Sequence, residues 1–276
     1  MNERDLIRRL ARHAPAIGDD CAVLRVPEGA ELLVTTDQFI QDVHFRRGAA
    51  PPSALGARAL ARAVSDIAAM GGDVLAYFVS IALPEWACGH WVNDFYRGMR
   101  ELNLTLAGGD TTRAKTFYSD VTVLGTAPAG TALRRDAAQA GDALYVSGEL
   151  GVEAIRKRVR LEPRLKLGRY LRENAIATAC MDLSDGLALD ASRLGEQSKL
   201  AIDIDYVPAA KGATEMQALS HGEDYELLFS VRDAQVPATF DGIPLTRVGT
   251  LREGRPGSLK LRGRALKPQG WDPFQK

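Results

Sequence analysis

The chain lacks long apolar runs, a cysteine framework and an excess of either charge, and each absence removes a class of protein. Lys plus Arg and Asp plus Glu both number 35, so the 276 residues carry a formal net charge of +0. A balanced chain offers no basic field for nucleic acid, and the patterning favours a small-molecule partner. Cys21, Cys88 and Cys180 lie far apart and form no C-x-x-C pair, so neither a disulfide framework nor a zinc site is indicated. They read as small buried residues. His13, His44, His90 and His221 also lack metal-ligand spacing.

The segment from Met1 to Leu10 is charged, with no apolar stretch of the signal-peptide kind, and no run reaches the length that spans a bilayer. A cytoplasmic location without a membrane or nucleic-acid partner is therefore expected. The chain has neither a G-x-x-x-x-G-K-[ST] P-loop nor the protein-kinase signatures, so any use of ATP runs through another fold.

What the chain does have is carboxylates in small groups among glycines, hydroxyls and apolar residues. These are Gly18-Asp19-Asp20, Thr35-Thr36-Asp37, Ser65-Asp66, Gly108-Gly109-Asp110-Thr111-Thr112, Asp182-Leu183-Ser184-Asp185-Gly186 and Gly222-Glu223-Asp224. Two carboxylates about 4 Å apart repel by roughly 4 kcal/mol at an effective dielectric near 20, so a convergent set needs counter-charge. Magnesium fits, because it takes one or two carboxylates together with phosphate oxygens and waters. Glycine lets backbone approach a phosphate, and hydroxyls add neutral ligands. Each cluster taken singly is also an ordinary turn or helix cap.

Strands alternate with helices, which predicts an α+β chain of the α/β sandwich type. Residues 1–14 read as an amphipathic helix and 31–36 as a strand ending at Asp37. Pro51-Pro52-Ser53 opens an Ala-rich helix running to Gly71-Gly72. Further strands are expected at 74–82, 104–107 and 121–126, with a helix over 86–102. The turn-rich segment 128–136 marks the crossing between an N-terminal domain, 1–128, and a C-terminal domain, 129–276. In the second domain strands are expected at 143–147, 201–206, 226–231 and 247–250, and helices at 151–159, 164–174 and from Asp182 to about Gly195.

Asp66 follows Leu55, Ala59 and Ala63 at helical spacing and so projects from an apolar side, where a carboxylate needs a partner. An i,i+4 contact with Arg62 is the plain alternative. Gly108 to Arg113 combines backbone freedom, a carboxylate, two hydroxyls and a guanidinium, which suits a nucleotide phosphate with its metal. Asp182 to Gly186 stands at a helix start, where ligand and capping roles are compatible. Trp271 alone reads as a core or tail anchor, and His44 as a surface or capping residue.

Taken together, these segments resemble the thiamine-monophosphate kinase family, within the superfamily of aminoimidazole ribonucleotide synthetase and selenophosphate synthetase. The matching stretches are Ile17 to Leu24, Thr35 to Asp37 with His44-Phe45, Ser65 to Gly71, Gly108 to Arg113, Met181 to Gly186 and Gly222 to Leu227. They follow the family's order over nearly the whole chain. The resemblance implies a two-domain fold with the active cleft between domains and the N-terminal sheet pairing across a homodimer. It implies transfer of the γ-phosphoryl of ATP to thiamine monophosphate, with several Mg2+ ions. It makes Asp20, Thr35, Thr36, Asp37, Asp66, Asp110, Asp182 and Asp185 metal ligands, with Asp37, Asp110 and Asp185 the catalytic carboxylates. Gly109, Asp110, Arg135 and Ser184 would contact ATP, and His44, Glu223 and Trp271 the thiamine phosphate.

Two features depart from that pattern. His221 stands where the family often has glycine, and the segment 147–164 is short. The competing readings are another ATP-dependent enzyme of the superfamily and a non-catalytic nucleotide or metal sensor. Against a selenide acceptor, no N-terminal Cys or Lys nucleophile motif is present.

Overall fold

Period-two alternation of buried and exposed residues in the first third of the chain builds a sheet with one covered face. The computed structural model describes residues 6, 9–14, 20–156, 160–272 and 274. The chain divides into two compact units, Met1–Ile67 with Gly72–Gly130 and Val159–Glu162, and Ala68–Gly71 with Thr131–Arg158 and Pro163–Lys276.

In the first unit β1 (Ala30–Ile40), β2 (Asp73–Leu83), β3 (Leu106–Arg113) and β4 (Tyr118–Pro128) form one sheet in the order β1-β4-β2-β3. The β1–β4 and β2–β4 pairs are antiparallel and β2–β3 is parallel. Leu33 and Phe39 of β1 and Val121 and Val123 of β4 point into the core, whereas Leu32 and Val34 face outward, 45% and 61% exposed. Helix α1 (Pro52–Ala69) covers the inner face, and a side chain at Gly125 of β4 would meet Ile67 at 2.8 Å. Helix α2 (His90–Arg100) crosses α1 through two glycines. A Cβ at Gly56 would lie 1.9 Å from the Phe95 carbonyl oxygen, and one at Gly98 would lie 1.7 Å from that of Ser53. The crossing therefore depends on residues without side chains.

The second unit is built on a mostly antiparallel sheet, ordered β12-β11-β7-β10-β5-β8-β6, with β9 on β10. Its strands are β5 (Ala143–Ser147), β6 (Ala179–Asp182), β7 (Ala201–Ile204), β8 (Leu227–Val231), β9 (Thr239–Phe240), β10 (Ile243–Arg252), β11 (Leu259–Leu261) and β12 (Arg264–Leu266). Its helices are α3 (Val152–Arg156), α4 (Leu165–Glu173), α5 (Leu187–Ser198) and α6 (Glu215–Ser220). One apolar cluster joins α5 and α6 to the sheet through Leu187, Leu194 and Leu219, and another joins α4 through Leu167, Leu171 and Phe229. The fold is thus a mixed α/β one, as the alternation predicts.

Several boundaries differ from expectation. β1 runs on to Ile40, and β3 starts at Leu106 and continues through Asp110 to Arg113, so the glycine-rich cluster lies in a strand. The helix expected from Trp86 begins at His90, after a short 3-10 turn. β6, β9, α6, β11 and β12 are too short for periodicity to reveal. Of the cysteines only Cys180 is buried; Cys21 and Cys88 are exposed, which corrects the expectation that all three are buried. Of the helix expected over 1–14, residues 6 and 9–11 are helical, while 1–5 and 7–8 lie outside the described residues.

Candidate functional site

In the first unit β1 and α1 are tied by two neighbouring rungs. Thr35 donates its hydroxyl to Asp66 Oδ2 at 2.5 Å. Two residues along the strand, and one helical turn back, Arg62 donates to Asp37 at 3.2 and 3.4 Å. Thr35 and Asp37 share a strand face because side chains alternate, and Arg62 and Asp66 share a helix face because they are four apart. Asp66 therefore answers to a hydroxyl across the layer. The chain of contacts continues, since the Arg62 guanidinium lies 5.7 Å from the Phe39 ring and Phe39 stacks on His44 at 5.8 Å. The Ile40 amide donates to His44 Nδ1 at 2.9 Å, which puts the proton of a neutral ring on Nε2.

Asp110 belongs to a different row. The register sets it beside Ser80, then Asp120, then Gln38, whereas Asp37 lines up with Val121, Val79 and Gly109. Asp37 and Asp110 are separated by three strand spacings, about 14 Å along the sheet, so they do not share one coordination sphere. Asp110 is exposed and accepts from the Thr111 amide at 2.8 Å. Thr36 lies on the same outer side, and its hydroxyl donates to Asp120 at 2.5 Å. Gly109 has φ +152, and a Cβ there would stand 2.0 Å from the Val79 carbonyl oxygen, so only glycine fits the strand. Asp20 is exposed in a bend, and Ile17 to Asp19 lie outside the described residues.

The second unit gathers its residues on one loop. β6 delivers Asp182, 5% exposed, and the chain turns through Ser184, Asp185 and Gly186 into α5. The Glu223 amide donates to the Ser184 carbonyl at 2.7 Å, and the Trp271 amide donates to the Asp185 carbonyl at 2.9 Å. Two distant segments are thereby pinned to the turn. Glu223 has φ +72, a conformation that non-glycine residues adopt at a cost. The Trp271 side chain is 47% exposed, so it is not the core anchor its apolar size suggested. Arg135 lies at the same end, since Arg135 and Asp182 both act on the buried Cys180 thiol, whose pKa burial raises. His221 caps α6 in an extended conformation open to any residue.

Sequence reasoning missed the residues that hold this loop. Asp190 is wholly buried and accepts from the Asp185 and Gly186 amides at 2.9 and 3.2 Å. Arg193 bridges Asp185 and Asp190. The available signal was the spacing, because residues at i, i+5 and i+8 around a helix start can meet. Below it, Asp224 accepts from the amides of Gly151 and Val152 at 2.7 and 3.1 Å, capping α3. Glu226 pairs with Arg164, which anchors the far end of the short 147–164 segment.

Burial pushes the Asp190 carboxyl up to about 6, against the Asp185 amide and Arg193, which favour its charged form. A folded-state value above the unfolded 3.8 means that protonation accompanies folding. That stabilisation is complete below about pH 4 and is lost as pH rises through 6. Asp190→Asn should flatten this part of the thermal-unfolding profile measured from pH 4 to 7 in metal-free buffer. An unchanged slope contradicts the assignment.

The donor set is hard oxygen throughout. Among the described residues, no three His, Cys, Asp or Glu groups converge as a preformed metal cage. Magnesium does not need one, since one or two carboxylates suffice when phosphate oxygens complete the sphere, and the Thr35–Asp66 oxygen pair fits that requirement.

Residues 18–127 match the N-terminal domain of AIR synthase related proteins. Over 284 aligned residues the chain is 32% identical to the thiamine-monophosphate kinase of Rhodopirellula baltica, covering 93% of this chain and 89% of that protein. The crystal structure of thiamine-monophosphate kinase from Stenotrophomonas maltophilia is similar with a TM-score of 0.83 and 31% identity, covering 95% and 96% of the two chains. The structure of AaThiL complexed with AMPPCP and TMP is similar with a TM-score of 0.80 and 28% identity, covering 99% and 97%.

Proposed function

This chain belongs to the family of thiamine-monophosphate kinases, and we propose on that premise that it transfers the γ-phosphoryl group of ATP to thiamine monophosphate, giving thiamine diphosphate and ADP. The observation that carries the reading within this chain is the loop at Asp182–Gly186, to which Glu223 and Trp271 are held by backbone hydrogen bonds. An acidic turn bordered by a second carboxylate and an exposed indole suits a cationic heteroaromatic substrate that bears a phosphate.

Phosphoryl transfer asks a protein to position groups and offset charge. Thr35 and Arg62 orient Asp66 and Asp37 before any ligand arrives. Asp20, Thr35, Thr36, Asp37, Asp66, Asp110, Asp182 and Asp185 are the residues that would hold Mg2+, Asp37 and Asp110 at different ions because three strand spacings part them, and Asp37, Asp110 and Asp185 are the proposed catalytic carboxylates. Bound there, Mg2+ neutralises phosphate oxygens. Gly109, Arg135 and Ser184 would face ATP. His44, as an Nε2–H donor, would take an acceptor phosphate oxygen, and Trp271 would stack on the heteroaromatic ring. An oxygen of the acceptor phosphate attacks the γ-phosphorus in line, and the bond to the β–γ bridging oxygen breaks with its electron pair leaving on ADP. The attacking group is already an anion, so no general base is required.

ADP release by the full chain, with ATP and Mg2+, tests this. Thiamine monophosphate should support turnover, whereas thiamine and unrelated phosphates should not. Equal release with every acceptor would sink the reading.

The homodimer is part of the same proposal. Leu32 and Val34 leave an apolar strip on the outer face of the first unit's sheet, which pairing of two copies would cover. Val34→Arg should convert the dimer to a species near 29.9 kDa by light scattering after gel filtration. A variant that stays dimeric contradicts the use of this face.

A further inference from the structure

Away from the acidic clusters, the first unit carries a solvent-open pocket of about 240 Å3 whose polar lining includes Arg9, Arg12, His13, Asn93 and Arg100. No carboxylate among the described residues is part of that lining. Among the described residues none of the three guanidiniums is in an ion pair, although the adjacent Arg97 pairs with Asp94 at 2.8 Å. A smaller cavity shares Leu10, His13, Tyr96 and Arg100 with the first and reaches Tyr77. Tyr77 is fully buried, and among the described residues its hydroxyl has no hydrogen-bond partner, but the smaller cavity, about 10 Å3, has room for no more than one water. Burial pushes that hydroxyl up to about 12, so it keeps its proton at neutral pH and is a donor.

A solvated basic face explains Arg9 and Arg12, which are exposed, but not the rest. Arg100 is half-buried and, among the described residues, in no ion pair, so solvent only partly offsets its charge. Like charges around one cavity repel, and an anion reverses the sign of that interaction. Guanidinium is the group that grips phosphate oxygens with paired N–H donors. The space far exceeds the ~10–15 Å3 that one water needs.

We propose that this pocket binds a compact phospho-anion with the size and charge of pyrophosphate, with Arg9, Arg12 and Arg100 as charged ligands and Asn93 as a neutral donor. The inference does not depend on the kinase reading, because none of these residues belongs to the acidic clusters.

Calorimetric titration of the full chain with inorganic pyrophosphate in metal-free buffer tests it. Under those conditions the unneutralised carboxylates elsewhere repel the probe. The expected result is one pyrophosphate per chain, with orthophosphate at least tenfold weaker. Arg9→Ala/Arg12→Ala and, separately, Arg100→Gln should each lower affinity at least tenfold while ADP release with thiamine monophosphate is unchanged. Absence of pyrophosphate binding, orthophosphate binding of equal strength, or parent-like affinity in the arginine variants would each overturn the proposal.

Discussion

Asp110→Asn is expected to lower turnover by about a hundredfold or more while leaving the fold in place, the scale seen when one charge-stabilising group is lost from a phosphoryl- or acyl-transfer site. The structure explains why the two effects separate. Asp110 is exposed on β3, and the hydrogen bond it accepts comes from the neighbouring Thr111 amide, which an Asn oxygen also satisfies. Its stability change should therefore stay within about 0.5 kcal/mol, as for surface substitutions generally. What the substitution removes is a negative charge in the row of Ser80 and Asp120, where a cation would be held. Near-normal turnover in a folded variant would contradict the metal role of Asp110.

Glu226→Ala should have the largest effect on stability, about 3–5 kcal/mol, because it removes one side of a buried ion pair and leaves the other charge without that carboxylate. Glu226 is 1% exposed and accepts from Ser147 at 2.6 Å and from Arg164 at 2.7 and 2.5 Å. Truncation leaves the Arg164 guanidinium, 13% exposed, without that carboxylate. The Ser147 hydroxyl also loses its acceptor, and the same hydroxyl accepts from the Leu227 amide at 2.9 Å, so β5 and β8 loosen together. Chemical denaturation followed by circular dichroism measures the loss. Replacing both partners by apolar residues, Arg164→Met with Glu226→Leu, should recover much of it, since no charge is then left buried. A double variant as unstable as the single one would contradict this explanation.

How much of this was legible follows from the range of each interaction. The alternation in β1 and β4 and the Ala-rich run of α1 are local patterns, and they set those elements within a few residues. Apolar spacing around Asp66 identified a carboxylate that needed a partner, but the partner, Thr35, is 31 positions away and no spacing rule reaches it. The acidic turn at Asp182–Gly186 announced itself through its composition. Its supports did not, because Asp190 reads as one more polar helix residue until burial and the amides of Asp185 and Gly186 give it work. Asp37 and Asp110 belong to separate acidic groups of the sequence, and only the register of β1, β4, β2 and β3 shows that they stand three strands apart. Glu226 could not be told from Glu223 by sequence, although one is buried beside Arg164 and the other sits at positive φ on the turn.

The most direct measurement is 31P NMR of the full chain with ATP, Mg2+ and thiamine monophosphate. Direct in-line transfer predicts ADP and thiamine diphosphate appearing one for one, and no phosphorylated protein when the acceptor is left out. A phosphorylated enzyme after ATP alone, or ADP formed without thiamine diphosphate, would contradict the account.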